Sequence, residues 1–463
     1  MNADSTVCFD ENLIARYDGR GPRYTSYPTA LQFNDGFGIS DYRRHARISN
    51  ESGKPLSLYV HIPFCHQLCY YCGCNKIVTR NATRVSNYLD CLHQEIAMQA
   101  ELFDRDRAVE QLHFGGGTPT YLDETQLRAL FHTLHQNFSF SDDDGRQFSI
   151  EVDPRTVDRP EIELLAELGF NRLSLGVQDF DPEVQKAVNR IQSAEQIRTL
   201  KADASRNGFR SVSFDLIYGL PLQSVASFDR TLDEVIDIRP DRLAIYNYAH
   251  LPERFKGQRM IRDEDIPLPK TKLDILHHTI DKLTAAGYVY IGMDHFALPD
   301  DELVVAQRNH SLQRNFQGYS THGNCDLIGL GVSAIGSIGG CYAQNAISTI
   351  EYEQVIASDN IPLKRGLSLD ADDKLRSRVI QKLMCYDALS FAEVEEEFDI
   401  DFSGYFRQEL ADLKPLAEDG LLTLEPGAIR ITPAGRLLLR SIAMVFDRYL
   451  RSADKDQRYS RAI

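Results

Sequence analysis

Tyr59-Val60-His61-Ile62-Pro63-Phe64-Cys65-His66-Gln67-Leu68-Cys69-Tyr70-Tyr71-Cys72-Gly73-Cys74-Asn75 is the stretch from which the rest of the chain can be read. Its first residues close an apolar run, Leu56–Ile62, that reads as a strand. Its remainder is a loop with cysteines at 65, 69 and 72, spaced CxxxCxxC. Three thiolates on one loop can hold three irons of a [4Fe–4S] cube and leave the fourth iron without a protein ligand. An open iron can chelate the amino and carboxylate groups of S-adenosylmethionine, and the electron of the cluster can then cleave a carbon–sulfur bond to give a 5′-deoxyadenosyl radical. Two other readings stay open on spacing alone. Zinc could use the three cysteines with Cys74 or His66, or a closed four-cysteine cluster could be structural. The position after a first strand, the aromatic residues Phe64, Tyr70 and Tyr71, and the lack of a second cysteine pair 12–20 residues away favour the radical reading.

Outward from the loop, strand-like and helix-like segments alternate from about Pro55 to Ala297. The strands expected are Leu56–Ile62, Ala108–Phe114, Phe148–Val152, Arg172–Val177, Ser211–Tyr218 and Arg242–Tyr246. Helical patterns lie between them at Pro160–Leu168, Ala194–Asn207, Ser227–Ile238 and Thr271–Ala286. Another starts at Asp123, where Leu127, Leu130, Phe131 and Leu134 recur at helical spacing and Asp123 with Gln126 forms a capping pair. Repeated strand–helix units predict right-handed crossovers and a parallel sheet, either open or most of a (β/α) barrel. Both arrangements gather functional residues at the carboxyl ends of the strands.

Gly115-Gly116-Gly117-Thr118 follows the second strand. It is neither a GxGxxG fingerprint nor a P-loop, so it reads as a tight turn or as backbone that approaches a ligand closely. Glu151, Gln178 and Asp215 stand near the ends of three successive apolar strands. A polar group buried without a partner costs about 1–3 kcal/mol, so the repeated pattern suggests one rim lined for ribose hydroxyls and adenine edges. The weakly polar stretch Leu327–Ala343, interrupted by five glycines and two serines, is short of the roughly 20 apolar residues of a membrane helix and reads as a packed loop or pocket wall.

The whole chain has 463 residues, 43% of them hydrophobic and 25% charged, and a net charge of −16, which is the composition of an ordinary globular chain of two or three domains. Such an acidic surface makes nucleic acid and membrane poor partners. Nine cysteines with one tight cluster suggest a metal or redox site in a reducing compartment rather than a disulfide framework. The first twenty residues lack the apolar core of a signal peptide, and the cytoplasm is the expected location. From about Leu367 the chain reads as helices at 370–385, 390–398 and 404–419, a strand–turn–strand at 421–432 and a helix from 433 to about 451, with a fraying tail at 452–463. This resembles a winged-helix unit. Residues 367–463 carry 14 Lys+Arg and 18 Asp+Glu, so a structural or substrate-covering role is preferred to DNA binding.

Taken together these motifs resemble the oxygen-independent coproporphyrinogen III oxidases, a radical S-adenosylmethionine family of haem synthesis. The resemblance rests on GPRYTSYPT (21–29), YVHIPFCHQLCYYCGCNK (59–76), HFGGGTPTYL (113–122), IEVDPR (150–155), LSLGVQDF (173–180), VNRIQ (188–192), FDLIYGLPLQ (214–223), MDHFALPDDEL (293–303) and RNFQGYSTHG (314–323). It implies an α/β fold: a partial (β/α)6 TIM-like barrel at 55–366, an N-terminal substrate-covering segment at 1–54 and a mostly helical, winged-helix-like domain at 367–463. It implies conversion of the ring A and B propionates of coproporphyrinogen III to vinyl groups, with two S-adenosylmethionine molecules consumed.

By the same resemblance Cys65, Cys69 and Cys72 bind one [4Fe–4S] cluster. Tyr59, Gly116, Glu151 and Ile335 contact the cluster-bound S-adenosylmethionine, with Tyr71 beside it. Gly117, Thr118, Gln178, Arg190, Asp215 and Ala249 resemble the contacts of a second S-adenosylmethionine site, and Tyr59 and Cys74 serve activity. An electron donor such as flavodoxin or ferredoxin and a monomeric state are expected. The runner-up is the related haem chaperone, which is shorter at the N-terminus and usually has Phe where this chain has Cys74. A substrate with four carboxylates should need local basic groups, and Arg23, Arg190, Arg308 and Arg314 are the candidates.

Overall fold

A computed structural model describes residues 7–452. The tail expected to fray lies outside the described residues, apart from the backbone of Ser452. The described chain forms two compact units. One comprises Phe33–Ile275 and Asn324–Ser368; the other comprises the residues up to Gln32, Leu276–Gly323 and those from Leu369 onward. Sequence reading expects consecutive segments cut near 54 and 366. The helix Ile39–Ser52, however, belongs to the first unit, where His45 Nδ1 lies 2.8 Å from the Gly339 carbonyl.

In the first unit, strands β1 (Leu56–Ile62), β2 (Ala108–Gly116), β3 (Gln147–Val152), β4 (Arg172–Gln178), β5 (Ser211–Tyr218) and β6 (Arg242–Asn247) pair in chain order. Every pairing among them is parallel. The order never reverses, which is the winding of a (β/α) barrel rather than of a doubly wound sheet. All six lie within two residues of the expected positions. Near-continuous burial of β1 on both faces is what a covered parallel strand requires.

Helices α1 (Ala82–Ala100), α2 (Glu124–Asn137), α3 (Arg159–Glu167), α4 (Ala194–Arg206) and α5 (Val225–Ile238) form the crossovers. The predicted capping pair of α2 is present: the Gln126 N–H donates to Asp123 Oδ1 at 2.9 Å, and the Asp123 N–H to Gln126 Oε1 at 3.2 Å.

The stretch expected as a packed loop or pocket wall is a wall built of strands rather than a loop. β7 (Asp326–Leu330) pairs parallel to the free edge of β1, and β8 (Ile335–Ile338), β9 (Cys341–Asn345) and β10 (Leu363–Ser368) continue antiparallel. Its glycines allow main chain to cross main chain. A Cβ on Gly329 would lie 2.8 Å from the Ile335 carbonyl carbon, and one on Gly336 would lie 2.8 Å from Leu327 O.

Behind this wall α1 places Glu95 in full burial. Its carboxyl accepts from the Gly331 N–H (2.7 Å), Asn345 Nδ2 (2.6 Å) and the Tyr352 hydroxyl (2.6 Å). Tyr88, two turns earlier on α1, donates to the His61 carbonyl at 2.7 Å and accepts from the Val332 N–H at 3.1 Å.

The second unit has its own core, centred on Leu383, Phe402, Phe406 and Phe446. Helix α6 (Ala371–Cys385) is followed by a three-stranded antiparallel sheet of β11 (Ala388–Ser390), β12 (Leu422–Glu425) and β13 (Ala428–Ile431), ordered β11–β13–β12. Strand β11 was not expected from the sequence. The helix expected at 404–419 is three short ones, the last beginning at Lys414-Pro415. The helix expected from 433 onward breaks before Arg448, because the Asp447 carboxylate takes the Tyr449 and Leu450 N–H groups and caps a new turn. Asp447 also accepts from the Tyr24 hydroxyl at 3.0 Å, which anchors the Gly21–Pro28 segment within this unit.

Candidate functional site

The cysteine loop leaves β1 at its carboxyl end. Phe64-Cys65 pairs with Ile77-Val78, which closes the loop into a small two-stranded ribbon. Cys65 and Cys69 are buried, Cys72 is half-buried and Cys74 is exposed. Donors converge on two of the sulfurs. The Thr118 hydroxyl lies 3.5 Å from Cys65 Sγ. Arg155 Nη2 and Arg190 Nη1 lie 3.3 and 3.4 Å from Cys69 Sγ. Burial pushes the Cys65 thiol up to about 11 against the Thr118 hydrogen bond. Donation from Cys74 and the nearby Lys76 hold Cys72 down at about 5. Among the described residues, no three His, Cys, Asp or Glu side chains come close enough to share one metal ion. A cube makes a different demand, since its three protein ligands bind three different irons. Three thiols on one loop, with hydroxyl and guanidinium donors turned toward sulfur, suit an anionic sulfur-bound cluster.

The polar rim expected at the strand ends is present. In register, Tyr59 faces His113 across β1 and β2, His113 faces Ser149, Glu151 faces Ser174, and Gly176 faces Asp215. The Tyr59 ring stacks on His113 at 5.8 Å, and its hydroxyl lies 3.0 Å from His61 Nδ1. Burial, then the charge of Glu151, push the Tyr59 phenol well above its ordinary value.

Glu151 Oε1 lies 3.2 Å from His113 Nε2, and Oε2 accepts the Gly116 N–H at 3.2 Å. Burial opposes the charge of Glu151, but His113, the Gly116 N–H and His61 outweigh it and hold the carboxyl below its ordinary value. Asp215 differs: burial and the Glu151 charge raise it to about 7, although Ser174 donates to it at 3.0 Å. Two carboxyls on one rim are thus driven apart in acidity.

Gly116 has φ +116°, and a Cβ there would strike the His61 ring at 2.7 Å. The Gly117 and Thr118 N–H groups are already spent on the Ile62 and Phe64 carbonyls at 2.8 Å, so a ligand would meet their carbonyls or the Thr118 hydroxyl. Gln178 ends β4 with φ +68° beside a break in register. Arg190 is buried and committed: it donates to the Gly176 carbonyl and lies 3.3 Å from Asp153 as well as beside Cys69. That commitment removes it from the set of free cations expected to attract substrate. Arg23 pairs with Asp294, Arg314 is buried over the Tyr319 ring, and Arg308 is exposed; all three lie in the second unit. The Tyr71 and Ala249 carbonyls are bridged by Gln258 Nε2 at 2.8 and 3.2 Å. Ile335 begins β8, its backbone over Gly329, the register partner of Tyr59.

Sequence reading passed over His61, His113, Asp153, Arg155 and Gln258. The two histidines could have been found from alternation, since Tyr59 and His61 share one face of β1 and His113 stands between the buried Leu112 and Phe114 of β2. Asp153 and Arg155 stand in the quoted IEVDPR motif, but that Arg155, paired with Asp153, also reaches Cys69 is revealed only by the fold.

The parallel arc and its three-cysteine loop are features of radical S-adenosylmethionine proteins, and the Radical SAM superfamily profile matches residues 59–235. The HemN C-terminal domain profile matches residues 369–438. Along 458 residues the chain is 54% identical to the oxygen-independent coproporphyrinogen III oxidase of Pseudomonas aeruginosa, covering 99% of each. It is 51% identical over 457 residues to that of Escherichia coli, again covering 99% of each. The solved structure of coproporphyrinogen III oxidase (HemN) from Escherichia coli superposes with a TM-score of 0.91 at 50% identity, covering 96% of this chain and all of that one. The chain belongs to the oxygen-independent coproporphyrinogen III oxidase family.

Proposed function

We propose that the rim between the cysteine loop and β5 is where this chain carries out the reaction of its family. That reaction is the oxidative decarboxylation of the ring A and B propionates of coproporphyrinogen III to vinyl groups, giving protoporphyrinogen IX. The observation that carries the reading is the CxxxCxxC loop at the carboxyl end of the first strand, with Thr118, Arg155 and Arg190 turned toward its sulfurs, in a chain that matches the family from end to end. The haem-chaperone alternative is not favoured, because the full-length relatives at 50–54% identity are oxidases by name.

When bound, the [4Fe–4S] cluster and S-adenosylmethionine supply the reductive carbon–sulfur cleavage from which the hydrogen-abstracting radical comes. The chain's residues divide the remaining work. Cys65, Cys69 and Cys72 hold three irons. Arg155 and Arg190 donate to Cys69 and offset its negative charge. Glu151, kept anionic by His113, would contact the first S-adenosylmethionine, with Tyr59, Tyr71, Gly116 and Ile335 around it. Gly117, Thr118, Gln178, Arg190, Asp215 and Ala249 form the second S-adenosylmethionine site, where the carboxyl of Asp215 and the amide of Gln178 suit hydroxyl and base edges. Cys74, exposed beside Cys72, is a working thiol rather than a ligand. His61 holds the Tyr59 hydroxyl in place.

Among the described residues no helix is long and apolar enough to cross a membrane. A cytoplasmic monomer reduced by a flavodoxin or ferredoxin completes the proposal. Anaerobic incubation with coproporphyrinogen III, S-adenosylmethionine and dithionite should give protoporphyrinogen IX with two methionines per product. Haem binding without turnover, or stoichiometric zinc without iron and sulfide, would overturn the reading.

A further inference from the structure

The loop after β6 carries a basic run. Residues 254–262, Arg-Phe-Lys-Gly-Gln-Arg-Met-Ile-Arg, hold four basic groups and no acid, in a protein of net charge −16. Arg254, Lys256 and Arg259 are exposed, and among the described residues none of the three makes an ion pair. Arg259 donates only to the Pro252 carbonyl, and Arg254 lies over the Phe255 ring. The acids that follow are occupied elsewhere: Asp263 with His250, Glu264 and Asp265 with Arg262. Glu253 is the acid next to the run on its other side. Met260 is 61% exposed among these charges, and Ile191 and Leu222, on the loops after β4 and β5, are exposed as well.

This basic run is seated on the cysteine loop. The Phe255 ring comes within 3.2 Å of where a Gly73 Cβ would stand. A Cβ on Gly257 would lie 3.4 Å from both Leu68 and the Tyr70 carbonyl and 3.8 Å from the Cys69 carbonyl. The buried Gln258 side chain donates to the Tyr71 carbonyl at 2.8 Å and so ties the run to the segment between the second and third cysteines. Cys72, the least buried of the three predicted ligands, has Lys76 as a further cation beside it, with Nζ 3.0 Å from the Cys72 carbonyl.

We propose that the exposed face formed by Arg254, Lys256, Arg259 and Met260 is the docking surface for an acidic one-electron carrier protein that reduces the cluster. The proposal rests on the cluster assignment above. In each docking event one electron leaves the reduced carrier and enters the oxidised cluster; no group or proton is transferred. Charge complementarity selects the carrier, since the chain is acidic overall while this run beside the cysteine loop carries exposed basic groups. Met260 supplies an adaptable apolar centre to a polar rim.

The test uses the reconstituted full-length enzyme and a purified flavodoxin as probe. For wild type, cluster bleaching by reduced flavodoxin should slow about tenfold between low and moderate salt, while bleaching by dithionite stays constant. The triple variant R254E/K256E/R259E should raise the flavodoxin Kd and slow flavodoxin-driven bleaching by about tenfold or more, with dithionite-driven bleaching and dithionite-supported turnover unchanged. Salt-independent flavodoxin reduction of the wild type would overturn the proposal whatever the variant does, and so would unchanged flavodoxin kinetics in the triple variant. The milder R254Q/R259Q pair gives the same readout if charge reversal disturbs the loop. Failure of dithionite-reduced wild type to make product would instead count against the proposed function, and the two failures are therefore distinct.

Discussion

Two polar clusters meet strand β1, and they follow opposite rules. Around Glu95 the Gly331 N–H, Asn345 and Tyr352 all donate to the buried carboxyl, and Tyr88 both gives and receives. At the rim, hydrogen bonds hold groups in place without exhausting them: Glu151 is anionic with two donors, Asp215 sits near neutrality, and guanidiniums reach toward sulfur. A closed network fixes a fold; an open one has capacity left for a ligand. Glu95 and Glu151 also differ in acidity. Burial raises Glu95 to about 7 despite its donors, whereas His113 carries Glu151 the other way.

Substitutions on each side should separate the two. The largest effect belongs to the loop: Cys65→Ser, Cys69→Ser or Cys72→Ser should abolish turnover and lose iron, while Cys74→Ser keeps iron, as read by iron and sulfide content. Iron retained in Cys72→Ser but lost in Cys74→Ser would reverse the ligand assignment.

Next comes the closed network. Glu95→Ala strands three buried donors and should cost about 3–5 kcal/mol in denaturant unfolding, with Glu95→Gln losing much less. A neutral Glu95→Ala would show that the cluster does not hold the wall.

The smallest effect lies at Asp215. Unfolded aspartate titrates near 4, but the folded carboxyl titrates near 7. The native state therefore keeps a proton that the unfolded state has lost, and stability falls as pH rises through that window. Asp215→Asn should raise Tm by about 2 °C at pH 8 and not at pH 4, while weakening binding of the second S-adenosylmethionine. An equal Tm change at both values would place the effect outside ionisation.

The six strands were legible because parallel strands covered on both faces read as apolar runs, and α2 was legible from its cap. Much of the rim was legible too, because Glu151, Gln178 and Asp215 interrupt such runs. What escaped depends on register or close approach. Arg155 meets Cys69 across a sequence separation of 86. The β7–β9 wall looked like a loop because its glycines signal turns in isolation, whereas here they let two backbones touch. Strand β11 is three residues long, too short to show a period.

The touching backbones at Gly329 and Gly336 also bear on descent. No side chain of any size fits at either position without moving main chain. Variation cannot enlarge or shrink the pocket there by small steps, as it could at an ordinary lining residue. The two glycines therefore act as an anchor, and change on this side of the fold falls to neighbouring positions whose side chains can vary.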